Sequence, residues 1–164
     1  MEPIIRPATE ADLPAIAAIW NPHIREGFVT FTTEEKTREG LRVWLRERAA
    51  SDEAVLVAVD GTTVLGFAAY FPFRGGPGYR FTKEITIYCA PEAQGTGLGR
   101  RLLTTLEDDA RSKGIHTFWS GCSAENPGSI TFHEHIGYQH VARLLEVGYK
   151  FGRWLDLVLL SKRL

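Results

Sequence analysis

Residues 94–99 read Gln-Gly-Thr-Gly-Leu-Gly, and their flanks constrain the chain more than any other feature in it. Upstream, residues 80–89 read as a strand, with Ile85, Ile87 and Cys89 on one face and Glu84, Thr86 and Tyr88 on the other. Downstream, Leu98, Leu102, Leu103, Leu106 and Ala110 recur at helical spacing until Gly114. The predicted unit is therefore strand, glycine-rich loop, helix. A helix start offers unpaired N–H groups and a partial positive charge. It binds anions such as a pyrophosphate. Gly95, Gly97 and Gly99 let the backbone come close to phosphate oxygens, and Arg100 and Arg101 add charge. No Lys-Ser/Thr follows, so this is not a Walker loop. The GxGxG spacing and mid-chain position also differ from the dinucleotide fingerprint. A glycine-rich turn with no ligand is the alternative that three glycines alone leave open.

The remaining elements follow from pattern and punctuation. Ile4-Ile5 predicts a short first strand, and Thr9 or Asp12 a cap for a helix carrying Leu13, Ile16, Ala17 and Trp20. A loop is expected around Pro22 and Gly27. Thr32 with Glu35 resembles a capping box ahead of a second helix bearing Leu41, Trp44 and Leu45. From Ala54 a β-rich run, the Asp60-Gly61 turn signal and the return strand Val64–Phe71 make a hairpin. Residues 72–78 must be loop. Thr117–Cys122 is a strand, Asn126-Pro127 opens a short helix that stops at Gly137, and strands near 138–146 and 154–161 close the chain. The order β-α-α-β-β-β-α-β-α-β-β implies a mixed α/β (α+β) fold, with parallel and antiparallel parts and helices on both faces.

Composition narrows the partners. The 164 residues favour one domain, 1–164. A net charge of −1 argues against a broad nucleic-acid footprint. Cys89 and Cys122 form no metal or CxxC pattern and are expected inert and buried in a reduced, cytoplasmic chain. The N-terminal residues carry no apolar signal segment and no apolar run reaches about 18 residues, so no membrane is expected.

Gln94-Gly-Thr-Gly-Leu-Gly99 resembles the acetyl-CoA loop, Q/R-x-x-G-x-G/A, of GNAT-type N-acetyltransferases, and the element order resembles that fold throughout. The phosphinothricin and methionine sulfoximine acetyltransferase branch is more similar still. The likeness lies in residues 5–12, Ala18-Ile-Trp-Asn21, Phe31-Thr-Thr-Glu34, Lys83-Glu-Ile-Thr-Ile-Tyr88, His133-Glu-His-Ile-Gly-Tyr138 and Val147-Gly-Tyr-Lys-Phe-Gly-Arg-Trp154. The resemblance implies a mostly antiparallel sheet with one splayed parallel pair, and acetyl transfer from acetyl-CoA to a primary amine in a ternary complex. Acetyl-CoA would be held by Gln94, Gly95, Thr96, Gly97, Leu98, Gly99 and Arg100. The strand edge Ile87, Tyr88, Cys89 would pair with its peptide-like arm, and Asn126 would reach it or simply cap its helix. Glu84 is the implied base, against the reading of a surface glutamate paired with Lys83. His133 is the second catalytic candidate, with Tyr138 in reserve, and no metal is implied. For a small amino-acid-like acceptor, Arg74 and Arg80 offer cations, and Phe28, Phe31 and Tyr79 offer walls. Lys83 and Phe81 lie beside them. Another amine acceptor, or a non-catalytic acetyl-CoA sensor, are the competing functions. The resemblance also implies a homodimer, for which the sequence offers only the apolar run Trp154–Leu160.

Overall fold

A computed structural model describes residues 2–164. Its elements are β1 (Ile4–Pro7), α1 (Leu13–Arg25), α2 (Arg38–Ala50), β2 (Val55–Asp60), β3 (Thr63–Pro72), β4 (Thr82–Cys89), α3 (Leu98–Ser112), β5 (Thr117–Ser123), α4 (Pro127–His135), β6 (Gln139–Lys150) and β7 (Arg153–Arg163). Seven strands form one sheet in the order β1-β2-β3-β4-β5-β7-β6. Every neighbouring pair is antiparallel except β4–β5.

Two apolar clusters cover the two faces. Leu98, Leu102, Leu103, Leu106 and Ala110 of α3 pack on Tyr70, Ile85 and Phe118. On the other face Leu13, Ile16, Trp20 and Ile24 of α1, with Leu41 of α2, cover Val57 and Phe67. Strand alternation in β4 sends Ile85, Ile87 and Cys89 to the α3 side and Tyr88 to the α1 side, as the sequence pattern requires.

Four expectations needed correction. Pro22 does not end α1, which runs to Arg25. Ile24 continues the Ile16–Trp20 stripe into the core and is fully buried, which outweighs the one hydrogen bond that Pro22 cannot donate. Neither Thr9 nor Asp12 caps α1 by its side chain: a 3-10 turn precedes it, and Asp12 instead accepts from the two terminal nitrogens of the Arg6 guanidinium and from the Thr9 amide, which hold its carboxyl below the usual range. The cap of α2 is Thr37, accepting from the Gly40 amide at 3.0 Å, while Thr32 accepts from Glu34 in a separate turn. The closing hairpin is also longer than its pattern, since β6 continues to Lys150 and turns at Phe151-Gly152, both at positive φ.

Candidate active site

The site is built by a failure of pairing. β4 and β5 pair in parallel over only Thr82↔Thr117, Lys83↔Phe118 and Glu84↔Trp119, then part. Beyond that vertex the facing edges of residues 85–89 and 120–123 open into a cleft of about 740 Å³. Ile85, Thr86, Ile87, Tyr88 and Cys89 line one wall; Ser120, Gly121 and Cys122 line the other. Unpaired strand edges offer their amides and carbonyls to an extended, peptide-like chain.

The glycine loop lies at the cleft's mouth. Gln94, Gly95, Gly97, Gly99 and Arg100 line it. Gln94 and Thr96 donate their amides internally, to Pro91 and Ala93, so the loop's free donors are not all of residues 94–100. The amides of Gly95, Gly97, Leu98, Gly99 and Arg100 have no backbone partner among the described residues; the ladder of α3 begins with Arg101 donating to Gly97. Gly95 (φ +75°) and Gly97 (φ +85°) hold left-handed conformations that suit glycine. Gly99 serves packing, because a Cβ there would lie 3.3 Å from Phe132 of α4. The Leu98 side chain belongs to the core and the Thr96 hydroxyl caps Ala93, so neither side chain faces the cleft. Arg101 turns away to the Pro3 carbonyl, which leaves Arg100 as the loop's cation at the cleft. The loop can hold an anion, and the splay can hold an extended arm behind it.

Cys89 is half-buried in the cleft wall rather than sealed in the core, and Cys122 is buried. Asn126 does two things: its side chain accepts from Ser129 at 3.3 Å as the cap of α4, and it lines the cleft. His133, buried in α4, also lines the cleft. Its Nδ1 lies 2.7 Å from the Ser129 carbonyl and its Nε2 3.1 Å from Ser120 Oγ. Burial pushes its pKa down. Tyr138 is packed, with its hydroxyl on Glu107.

Glu84 stands at the vertex on the opposite, α1 side of the sheet. Its register neighbours are Phe71 and Trp119, so it sits between two aromatic residues. Burial pushes its carboxyl upward, and no ion pair or hydrogen bond reaches it among the described residues. Lys83 does not neutralise it; Lys83 pairs with buried Glu53 at 2.7 Å.

None of the acceptor candidates Phe28, Phe31, Arg74, Tyr79 and Arg80 lines the cleft. Phe28 packs on Phe151 and under Arg153, and Phe31 lies against Gly148 of β6. Arg74, Tyr79 and Arg80 lie on the loop after β3, where Phe73 stacks on Trp119 at 5.4 Å. That loop adjoins Glu84's face and not the cleft lining. Sequence reading missed His23 and Val29, which line the cleft. His23 packs on Tyr88, and burial together with the Lys150 charge lowers its pKa. The helical stripe through Ile24 was the available signal, and Pro22 masked it. It also missed Ser120, whose i, i+2 alternation with Phe118 and Cys122 was the only cue. Among the described residues, no three His, Cys, Asp or Glu side chains are grouped to hold a metal. Among the described residues no helix is long and apolar enough to cross a membrane.

Comparison with known proteins gives a consistent picture. The model of the acetyltransferase (GNAT) family matches residues 21–138. An L-methionine sulfoximine/L-methionine sulfone acetyltransferase of Salmonella typhimurium is 35% identical over 160 residues, covering 98% of this chain and 94% of the relative. A phosphinothricin N-acetyltransferase of Streptomyces coelicolor is 36% identical over 156 residues, covering 93% and 91%. Among solved structures, a phosphinothricin acetyltransferase of Sinorhizobium meliloti in complex with acetyl-CoA superposes with a TM-score of 0.93 at 28% identity, covering 100% of this chain and 89% of that one.

Proposed function

The chain belongs to the GNAT acetyltransferase family and is an acetyl-CoA-dependent N-acetyltransferase; on that premise we propose that its acceptor is the α-amine of a small amino-acid analogue of the methionine sulfoximine or phosphinothricin type. The observation that carries the reading is the splay itself: a cleft between β4 and β5 with five unpaired amides at its mouth and a lone carboxylate at its vertex. Residues 1–164 act as one domain.

In this reading, the free amides of Gly95 and 97–100 and the Arg100 guanidinium hold the diphosphate of acetyl-CoA. The edge Ile87-Tyr88-Cys89 pairs with its pantetheine arm, and Asn126 borders the arm from α4. When bound, acetyl-CoA supplies an activated acetyl group as a thioester. A backbone N–H at the vertex is the donor for the carbonyl oxygen as it gains charge. The acceptor comes from the α1 side, where Glu84 takes a proton from its ammonium group. Arg74 and Arg80 supply the cation for its carboxylate, with Tyr79, Phe73 and Trp119 as the apolar wall. Phe28 and Phe31 act indirectly, by holding the segment that carries Val29.

The surface favours a homodimer through β6 and the exposed Trp154 that packs on its Tyr149, rather than through the remainder of residues 154–160. Leu155, Val158 and Leu160 are buried in the chain's own core, whereas Val141 (53%), Leu145 (72%), Val147 (55%) and Tyr149 (57%) stand exposed on the edge strand. The unpaired thiols suit a reducing compartment, and the cytoplasm is the proposed location.

The test is calorimetric binding of acetyl-CoA followed by thiol release with a panel of amines. Turnover of amino-acid analogues, with methionine sulfoximine above peptides, lysine side chains and polyamines, supports the reading. Preference for one of those other amines overturns the acceptor assignment. Tight binding with no turnover on any amine would make the chain a cofactor sensor.

A further inference from the structure

We propose that the Ser120 hydroxyl is the group through which His133 exchanges a proton with the reacting atoms. This inference rests on the acetyltransferase reading and deepens it.

The tautomer of His133 follows from its partners. A backbone carbonyl only accepts, so the 2.7 Å contact to Ser129 places a proton on Nδ1. Burial keeps the ring neutral. Nε2 then carries the lone pair, and Ser120 Oγ–H donates to it across 3.1 Å. Both ring nitrogens are thus engaged: Nδ1 with the backbone of α4 and Nε2 with β5. The other groups facing the ring are the Cys122 thiol, 3.8 Å from Nδ1, and the Phe132 and Tyr138 rings, set edge-on at 5.1 and 5.3 Å. Beyond Tyr138 its hydroxyl meets Glu107, which Lys162 neutralises. No carboxylate contacts the imidazole to raise its basicity directly.

Ser120 occupies the position this role needs. It is the first β5 residue past the last paired one, Trp119, so it sits at the vertex where the strands part. Alternation puts it on the α3–α4 face with Phe118 and Cys122, while Glu84 flanks the same vertex from the other face. The two candidates for proton transfer therefore approach one point from opposite sides of the sheet.

The proton inventory needs two acceptors. Acetyl transfer forms an N–C bond and breaks a C–S bond; two protons leave the nitrogen and one arrives at the sulfur. Glu84 takes the first, before attack, and releases it to solvent. After attack nitrogen and sulfur share one carbon, so a single hydroxyl can reach both. Ser120 Oγ accepts the second proton as its own passes to Nε2. The resulting imidazolium is held by the Ser129 carbonyl on Nδ1–H. Nε2 then returns its proton through Ser120 to the departing sulfur, and both residues end as they began.

The test compares wild type with Ser120→Ala, His133→Ala and the double variant, alongside 15N spectra of the histidine rings. The wild-type spectrum should show His133 with its proton on Nδ1, and Ser120→Ala should shift only its Nε2 resonance. Turnover in Ser120→Ala should fall about 100-fold, with KM for acetyl-CoA and calorimetric CoA affinity unchanged. The double variant should be no slower than the slower single one, because the two residues act as one unit. An Nε2–H tautomer overturns the proposal, as do unchanged turnover in Ser120→Ala or losses that multiply in the double variant. A wild-type chain that acetylates no amine sinks the acetyltransferase reading instead, and the spectrum still decides the tautomer.

Discussion

Glu84 shows what one residue's surroundings do to its chemistry. A free glutamate is a poor base at neutral pH because its carboxylate binds protons weakly. Between Phe71 and Trp119, with Lys83 committed to Glu53, the charged form loses solvation and gains no cation. Its pKa is raised by that burial, which strengthens it as a base. The sign for catalysis is clear. The reactive form is the carboxylate, so activity should be present above the raised pKa and lost as pH falls through it. The acid limb of kcat/KM should lie above the range of an exposed glutamate. Glu84→Gln should lower kcat about 100-fold or more, erase that limb and leave acetyl-CoA affinity intact. A Gln variant with full turnover at every pH would remove Glu84 from the reaction. The alternation of residues 84–89 made its face legible in the sequence. Its isolation was not legible, because Lys83 is its neighbour in the chain and finds its partner thirty residues away.

The elements that position the cleft were mostly legible where pattern and punctuation agreed, as in the β4–loop–α3 unit. They were misread where a local signal opposed a tertiary one. Pro22 signalled a stop, yet burial of Ile24 carried α1 another turn and delivered His23 to the cleft. Thr32 and Glu35 signalled a cap, yet α2 starts after Thr37. The reason is visible in the segment between them, which is strapped to the β6–β7 hairpin. Lys150, 1% exposed, donates to the carbonyls of His23 and Thr30 at 3.2 and 2.9 Å. Phe31 lies so close to Gly148 that a Cβ there would sit 2.4 Å from its ring. Such contacts span more than a hundred residues and leave no local trace. They predict that Gly148→Ala, although conservative on an ordinary strand, forces Phe31 off its seat at about 1–3 kcal/mol. The segment carrying Val29 should move with it, raising KM for the amine more than KM for acetyl-CoA. Thermal melting and the two KM values check this; equal melting temperatures and unchanged constants would show that the strap does not set the cleft.

At the scale of the whole molecule, the cleft is also a seam. Strands β1–β4 with α1 and α2 lie on one side of it, and β5–β7 with α4 on the other; the sheet crosses between them through three residue pairs. The side chains of α3 span the gap, with Leu102, Leu103 and Leu106 in the cluster that joins Ile85 to Phe118. An arm lying between the parted edges would pair with both and act as an added strand. Sequence could predict the parallel pair from its strand–helix–strand order. It could not place the last pair at Glu84↔Trp119, because no residue there forbids pairing; beyond that pair α3 and α4 pack closely on each other, with Gly99 against Phe132. If the seam is where acetyl-CoA binds, ligand stabilisation should be global in size and local in protection. At a CoA concentration 100 times its dissociation constant, binding to the native state adds about 2.7 kcal/mol. For a chain of this length that raises the melting temperature by roughly 5–10 °C. Hydrogen exchange should slow first at Gly95 and residues 97–100, whose amides have no backbone partner, and at the facing edges of residues 85–89 and 120–123, which pair with β3 and β7 but not with each other. CoA that binds and stabilises while those amides exchange as before would be binding elsewhere, and the cleft would lose its assigned occupant.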